Sequence, residues 1–164
     1  METRSISYPQ LQKNRCLRCG VDFSGLIFYT VLTSSAGSGD DMINGIGVDL
    51  VEISRVRKLL EQDNGFVERI FTAREIGYCE GKYFKAQHYA ARFTAKEAFF
   101  KALGTGFRDG MSWQDVEVEN DELGKPQLRL TAAALEKFNK MKLKRVFLSL
   151  SHTREMAVAL VVIE

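Results

Sequence analysis

Two carboxylates and a lysine carry the clearest chemistry in this sequence. Asp49 closes the run Ile46-Gly47-Val48-Asp49, and Glu97 follows forty-eight residues later within Phe93-Thr94-Ala95-Lys96-Glu97-Ala98-Phe99-Phe100-Lys101. At about 100° per residue, Ala86, Ala90, Phe93 and Phe100 share one helical stripe, and Glu97 falls in its middle. Desolvating a lone carboxylate costs on the order of several kcal/mol, so Glu97 must be protonated, ion-paired or bound to a metal. Lys101, one turn further on, offers the plainest partner, an intrahelical ion pair worth roughly a few tenths of a kcal/mol. Arg92 and Lys96 lie elsewhere on the helix at i and i+4, and by periodicity they form a solvated basic edge.

Two further spots have chemical potential. Gly104-Thr105-Gly106 makes a tight loop whose backbone N–H groups are able to meet a phosphate, although such glycines also serve simply to turn a chain. His152, between two apolar runs, is either a surface turn residue or a polar group aimed at a site.

These residues need elements to position them. Ile46, Val48 and Leu50 alternate as in a strand, leaving Gly45, Gly47 and Asp49 on a face that another backbone or a ligand can approach closely. Ser54 precedes a helical pattern with Val56, Leu59 and Leu60 inward and Arg55, Arg57 and Lys58 outward, ended by Asn64-Gly65. Thr72 and Glu75 read as a capping box opening a short helix to about Glu80. A longer helix is expected from near Lys85 to Leu103, stopped by Gly104. Val116–Glu119 and Gln127–Leu130 read as one hairpin, Thr131 as the cap of a helix to about Met141, and Val146–Leu150 with Met156–Ile163 as a second hairpin turning through residues 151–155. Helices mixed with hairpin-linked strands indicate an α+β fold.

Composition narrows the class. A chain of 164 residues, 45% hydrophobic and 27% charged, describes a globular domain with an appendage. With 23 basic against 21 acidic residues the net charge of +2 is too small for a nucleic-acid coat or a polybasic membrane anchor. No apolar run approaches the roughly 20 residues needed to span a bilayer. Three cysteines fit a reducing compartment, so a cytoplasmic setting is expected. Residues 1–41 carry Arg4, Lys13, Arg15 and Arg18, an apolar run from Leu26 to Leu32, and a Ser/Gly-rich stretch before Met42. That outline resembles a secretory leader, but the basic part is long and Asp22 interrupts it, so the segment reads as an extension or tag joined by a flexible linker to a domain over 42–164. Cys16 and Cys19 make half a zinc site with no second half, and are read as incidental.

The strand ending in Gly47-Val48-Asp49, followed by the Phe93–Lys101 run, resembles the two-part signature of the 4′-phosphopantetheinyl transferases, specifically of the bacterial holo-acyl-carrier-protein synthase family. The likeness extends over 42–164 through Ala91-Arg92-Phe93, Ala102-Leu103-Gly104-Thr105-Gly106 and Ser149-Leu150-Ser151-His152-Thr153. It implies an antiparallel sheet packed against a long helix. It also implies transfer of 4′-phosphopantetheine from coenzyme A to a serine of apo-acyl carrier protein, releasing adenosine 3′,5′-bisphosphate, in support of fatty acid biosynthesis.

By the same resemblance Asp49 and Glu97 hold Mg²⁺ on the coenzyme pyrophosphate, and Lys101 neutralises the phosphates. Arg92, Lys96 and His152 serve the coenzyme, with Arg92 and His152 near its phosphates and adenine-ribose end. Gly104 and Thr105 shape the pocket. Arg55 matches a position that meets the acidic carrier, while Gln62 and Gly65 replace basic residues expected there, leaving Arg57 and Lys58 as substitutes. A homotrimer with sites at subunit boundaries is expected, without nucleic acid or membrane. Two rivals remain: a nonenzymatic nucleotide-binding module, which has no need of both acids, and an interaction protein, which turns over no coenzyme A.

Overall fold

The computed structural model describes residues 42–62, 65–106 and 110–164. Strand β1 (Gly45–Glu52) leads into α1 (Ile53–Glu61), α2 (Phe66–Ile70), α3 (Ala73–Glu80) and the long α4 (Lys85–Leu103). A 3₁₀ turn (Trp113–Asp115), the hairpin β2 (Val116–Asn120) and β3 (Pro126–Leu130), helix α5 (Ala132–Lys140), and strands β4 (Val146–His152) and β5 (Met156–Ile163) follow. The strands form an antiparallel sheet ordered β1-β5-β4 and a separate β2-β3 ribbon. This is the expected α+β arrangement, with a sheet laid on a long helix. The expectations for residues 1–41, including Cys16, Cys19 and the linker, lie outside the described residues.

Local chemistry explains most boundaries. Thr72 and Glu75 form the expected capping box: the Glu75 amide donates to Thr72 Oγ1 at 3.3 Å, and the Thr72 amide donates to Glu75 Oε2 at 2.9 Å. Helix α4 stops at Gly104, whose φ of 72° suits a residue without a Cβ. Ser54 does not cap α1, because the helix already begins at Ile53 and the Ser54 hydroxyl donates to Glu52 Oε2. Thr131 places no side-chain bond on α5 either; its amide donates to the Asp115 carbonyl at 2.8 Å. The short α2 was not anticipated, and β4 runs on through His152, shortening the expected turn.

The largest departure concerns α4. Its periodicity suggested one apolar stripe and an exposed basic edge, yet every residue from Tyr89 to Leu103 is buried. One side of the helix lies on β1 and β5, and α1, α3 and β2 close the others. A helix wrapped on all sides shows no dominant apolar face, so its polar residues must find partners inside. Around it Phe66, Phe71, Tyr89, Phe93, Phe100 and Trp113 pack ring against ring.

The sheet meets α4 through glycine. A Cβ on Gly47 would lie 2.5 Å from the Ala102 amide nitrogen and collide with the Ala98 carbonyl oxygen, and one on Gly45 would collide with the Ala102 carbonyl. The approaching group that the bare face of β1 accommodates is therefore the α4 backbone. The opposite face of β1 points away from the core, leaving Val48 50% and Leu50 53% exposed, and β4 and β5 add Phe147 and Leu160. Among the described residues no helix is long and apolar enough to cross a membrane.

Candidate active site

Because Gly45 and Gly47 bring β1 onto the α4 backbone, Asp49, two residues further along the same face, reaches the turn that carries Glu97 and Lys101. All three side chains are buried. Lys101 Nζ donates to Asp49 Oδ1 at 2.7 Å and to the Val48 carbonyl at 3.2 Å. The lysine thus bridges to the neighbouring strand rather than only back along its own helix, a geometry that helix periodicity does not reveal.

The two acids are left incompletely compensated. Asp49 Oδ2 is buried without a hydrogen-bond donor. Burial raises the Asp49 pKa above its ordinary value, and the Lys101 ammonium works against that rise. Glu97 is pushed up to about 8, first by burial and then by the Asp49 charge, with Lys101 opposing. Two buried carboxylates that share one ammonium, one of them with an orphaned oxygen, form a site short of one positive charge. Oxygen donors of this kind suit a hard cation such as Mg²⁺, which typically takes only one or two protein carboxylates and fills the rest of its shell with water and substrate phosphate. No larger His, Cys, Asp or Glu cluster occurs among the described residues, and none is required for that ion.

A second set of polar groups gathers near the start of α4. Arg92 donates through Nη2 to Asn120 Oδ1 at 3.0 Å and lies 3.8 Å from the centre of the Tyr78 ring. His152, at the end of β4, neighbours His88 on α4. Gly104 and Thr105 follow α4 at its other end, beyond Lys101.

A family model for the 4′-phosphopantetheinyl transferase superfamily matches residues 45–161, a span holding both acids, the lysine and His152. The chain belongs to that superfamily. A holo-[acyl-carrier-protein] synthase of Geobacter sp. (strain M21) is 58% identical over 124 residues, covering 75% of this chain and 99% of the relative. Among solved structures, the synthase of Neisseria meningitidis aligns with a TM-score of 0.70 at 35% identity, covering 75% of this chain and 99% of that one. The Bacillus anthracis synthase, in complex with CoA (3′,5′-ADP), aligns at 0.63 and 40% identity, covering 75% and 97%.

Within this superfamily member, the fold brings Asp49, Glu97 and Lys101 together and sets Arg92 beside Asn120 and Tyr78. Lys96 requires correction. Far from forming a solvated edge beside the coenzyme, it is fully buried, and its Nζ donates to the Ile70 carbonyl at 2.8 Å, Glu75 Oε2 at 2.7 Å and the Trp113 carbonyl at 3.0 Å. Three donors on three acceptors leave none for a phosphate. Arg92 likewise is no solvated edge residue, being 4% exposed.

Glu75 holds the other half of this hub, its two oxygens accepting from the amides of Thr72 and Val118 as well as from Lys96. Lys96→Met leaves that carboxylate buried without its ion pair and is expected to lower the unfolding free energy by about 3 kcal/mol or more. Denaturant unfolding checks this, and a loss below about 1 kcal/mol would contradict the central role of the pair. Sequence reading missed His88, Asn120 and Tyr78 as neighbours of Arg92. Only His88 left a signal, lying four residues before Arg92 on the same helical face.

Proposed function

We propose that this chain transfers 4′-phosphopantetheine from coenzyme A to a serine of apo-acyl carrier protein, releasing adenosine 3′,5′-bisphosphate. The observation that carries the reading is the convergence of Asp49, Glu97 and Lys101 from two distant sequence motifs into one buried site, in a chain that matches synthases along nearly their whole length. In the reaction the serine Oγ forms a bond to the phosphorus bearing pantetheine. The bond from that phosphorus to the bridging oxygen breaks, the oxygen leaving with its electron pair on adenosine 3′,5′-bisphosphate, and the serine proton passes to water or to a carboxylate of the site. Such a displacement is catalysed mainly by positioning and charge neutralisation.

Asp49 and Glu97 would hold Mg²⁺, which supplies Lewis-acid neutralisation of the pyrophosphate. Lys101, already aimed at Asp49, adds a positive charge that a phosphate can share. Glu97 must give up its proton before it can bind a cation. Arg92 and His152 serve the phosphate and adenine-ribose end of the coenzyme, and Gly104 with Thr105 borders the pocket. Lys96 supports the fold instead.

The decisive experiment incubates purified protein with Mg²⁺, coenzyme A and apo-acyl carrier protein, and reads the carrier's mass. A phosphopantetheine increment is expected from the full chain and from a chain begun at Met42, since the domain read over 42–164 holds every proposed site residue. No increment from either would overturn the reading in favour of a coenzyme-binding module or an interaction protein.

The exposed apolar face of β1, β5 and β4 supports assembly, because a patch formed by Val48, Leu50, Phe147 and Leu160 is better buried against another copy. A homotrimer of closed cyclic symmetry, with the site at each boundary, is the assembly we infer. We place the enzyme in the cytoplasm, serving fatty acid biosynthesis. Helix α1 presents Arg55 with the exposed Arg57 and Lys58 as the face that steers an acidic carrier. Arg55→Glu is expected to raise the carrier KM by about three- to tenfold, more at low salt than at high, while that for coenzyme A changes little. Steady-state kinetics at two ionic strengths measure this, and an unchanged carrier KM would remove α1 from the docking face.

A further inference from the structure

Two imidazoles lie side by side near the start of α4, and the transfer step itself assigns work to only one. The ring centres of His88 and His152 are 5.8 Å apart, with planes inclined at 72°. Tyr78 of α3 stands 5.7 Å from His88, and the same phenol ring has Lys82 Nζ at 4.4 Å and the Arg92 guanidinium at 3.8 Å. Three elements and one loop thus contribute to the cluster: α3 a ring, the α3–α4 loop a lysine, α4 a histidine and an arginine, and β4 a histidine.

The charges that act on His88 are all positive. Partial burial, and after it His152, Arg92 and Lys82, hold its pKa below the ordinary imidazole value of 6.5. Glu80, on α3, is engaged by Lys85 at 3.2 Å and by the Tyr89 hydroxyl at 3.0 Å. Arg92, nine-tenths or more buried, keeps an Nε with no acceptor. A concentration of cationic donors with one buried donor unused is a site short of an anion.

We propose that His88 accepts a proton as it joins His152, Arg92 and Lys82 in gripping a phosphate monoester of the coenzyme, so that coenzyme capture takes up a proton. The proposal rests on the reading that Arg92 and His152 serve the coenzyme, and it adds His88 as a determinant of affinity. The physical ground is reciprocity. An arriving dianion offsets the positive field that keeps His88 neutral, so protonation and phosphate binding favour one another. Affinity therefore rises as pH falls, within the range above about pH 6 where the phosphate stays a dianion.

The test is calorimetric titration of the full-length, metal-free protein with adenosine 3′,5′-bisphosphate, in buffers of different ionisation enthalpy, from pH 7 to 8.5. Leaving out the metal keeps proton release by Glu97 from masking the uptake. The parent is expected to take up about half a proton or more per ligand at pH 7, and to bind roughly threefold or more weakly by pH 8.5. His88→Gln should lose at least half of that uptake and flatten the pH dependence. His152→Gln, at an exposed position where folding is not at stake, should weaken binding of the bisphosphate. Binding without proton uptake, or full uptake retained in His88→Gln, would overturn the proposal while leaving the coenzyme reading in place. Failure of the parent to bind the bisphosphate at any pH would overturn both.

Discussion

Glu97→Gln should abolish phosphopantetheine transfer and, at alkaline pH, make the metal-free protein more stable than its parent. The two effects share one cause. The amide keeps the size of the side chain and removes a buried charge that the Lys101 ammonium, already bonded to Asp49, does not fully offset. A metal site contributes several kcal/mol of charge stabilisation in such reactions, so turnover should fall by roughly a thousandfold or more. Stability moves the other way. Glu97 has a folded pKa of about 8 against an ordinary 4.5. A raised carboxyl pKa contributes stability that is fully present below the unfolded value and is lost as pH rises through the folded one. The metal-free parent should therefore weaken between about pH 4.5 and 8, by on the order of a few kcal/mol at most, and Glu97→Gln should lack that slope.

Denaturant unfolding at pH 5 and pH 9, beside the transfer assay at saturating Mg²⁺, separates this from an ordinary helix ion pair, whose loss would change stability by less than about 1 kcal/mol and spare activity. Retained activity in the purified variant would sink the metal assignment. Asp49→Asn makes an informative companion. It should also lose activity, but with a loss of stability, because Lys101 then gives up its 2.7 Å bond to a buried carboxylate.

The second large effect is expected from one methyl group. Gly47→Ala places a Cβ against the Ala98 carbonyl oxygen and 2.5 Å from the Ala102 amide nitrogen, both belonging to a helix backbone that cannot swing aside. Either β1 lifts away from α4 or the helix shifts, and both movements open the core around Ala98, Ala159 and Val161. Overpacking of this kind typically costs about 1–3 kcal/mol, more where backbone rather than a flexible side chain must yield. The expected result is a protein that is largely unfolded, or that melts many degrees lower, by thermal denaturation. A Gly47→Ala protein that melts with the parent would mean that the strand does not sit on α4 as described. Because Asp49 is only two residues away, even a folded survivor should transfer slowly.

Features governed by neighbouring residues could be read from the sequence. The ends of α4, the Thr72–Glu75 capping box and both hairpins depend on chemistry within a few positions. Glu97 stood out because a carboxylate on an apolar stripe needs an explanation wherever the stripe faces. What periodicity could not convey was how α4 is enclosed. An amphipathic reading assumes one dry side and one wet side, so it placed Arg92 and Lys96 in water. The actual partners of Lys96 come from Ile70, Glu75 and Trp113, on three different segments. The Lys101–Asp49 bond was hidden for the same reason, since helical spacing offered Glu97 as partner and said nothing of the strand alongside. For His88 the i, i+4 spacing to Arg92 is visible, but its closeness to His152 arises only when a distant strand is brought beside the helix.

The pairing of β1 with β5 bears on how the enzyme is made. Gly45 lies opposite Ile163 and Glu52 opposite Met156, so the first and last described strands must find each other across the intervening chain. Asp49 is paired with Ala159 in that ladder, which means the strand that carries Asp49 gains its hydrogen-bonded neighbour only after everything between has been synthesised. Until then a nascent chain carries β1 with its backbone donors and acceptors unpaired, the kind of edge that invites aggregation. Such distant closure is also kinetically slow. Demand for chaperones during synthesis should therefore rest on this strand, and a charged residue at the exposed Val48, harmless to the ladder, should ease production of soluble chain.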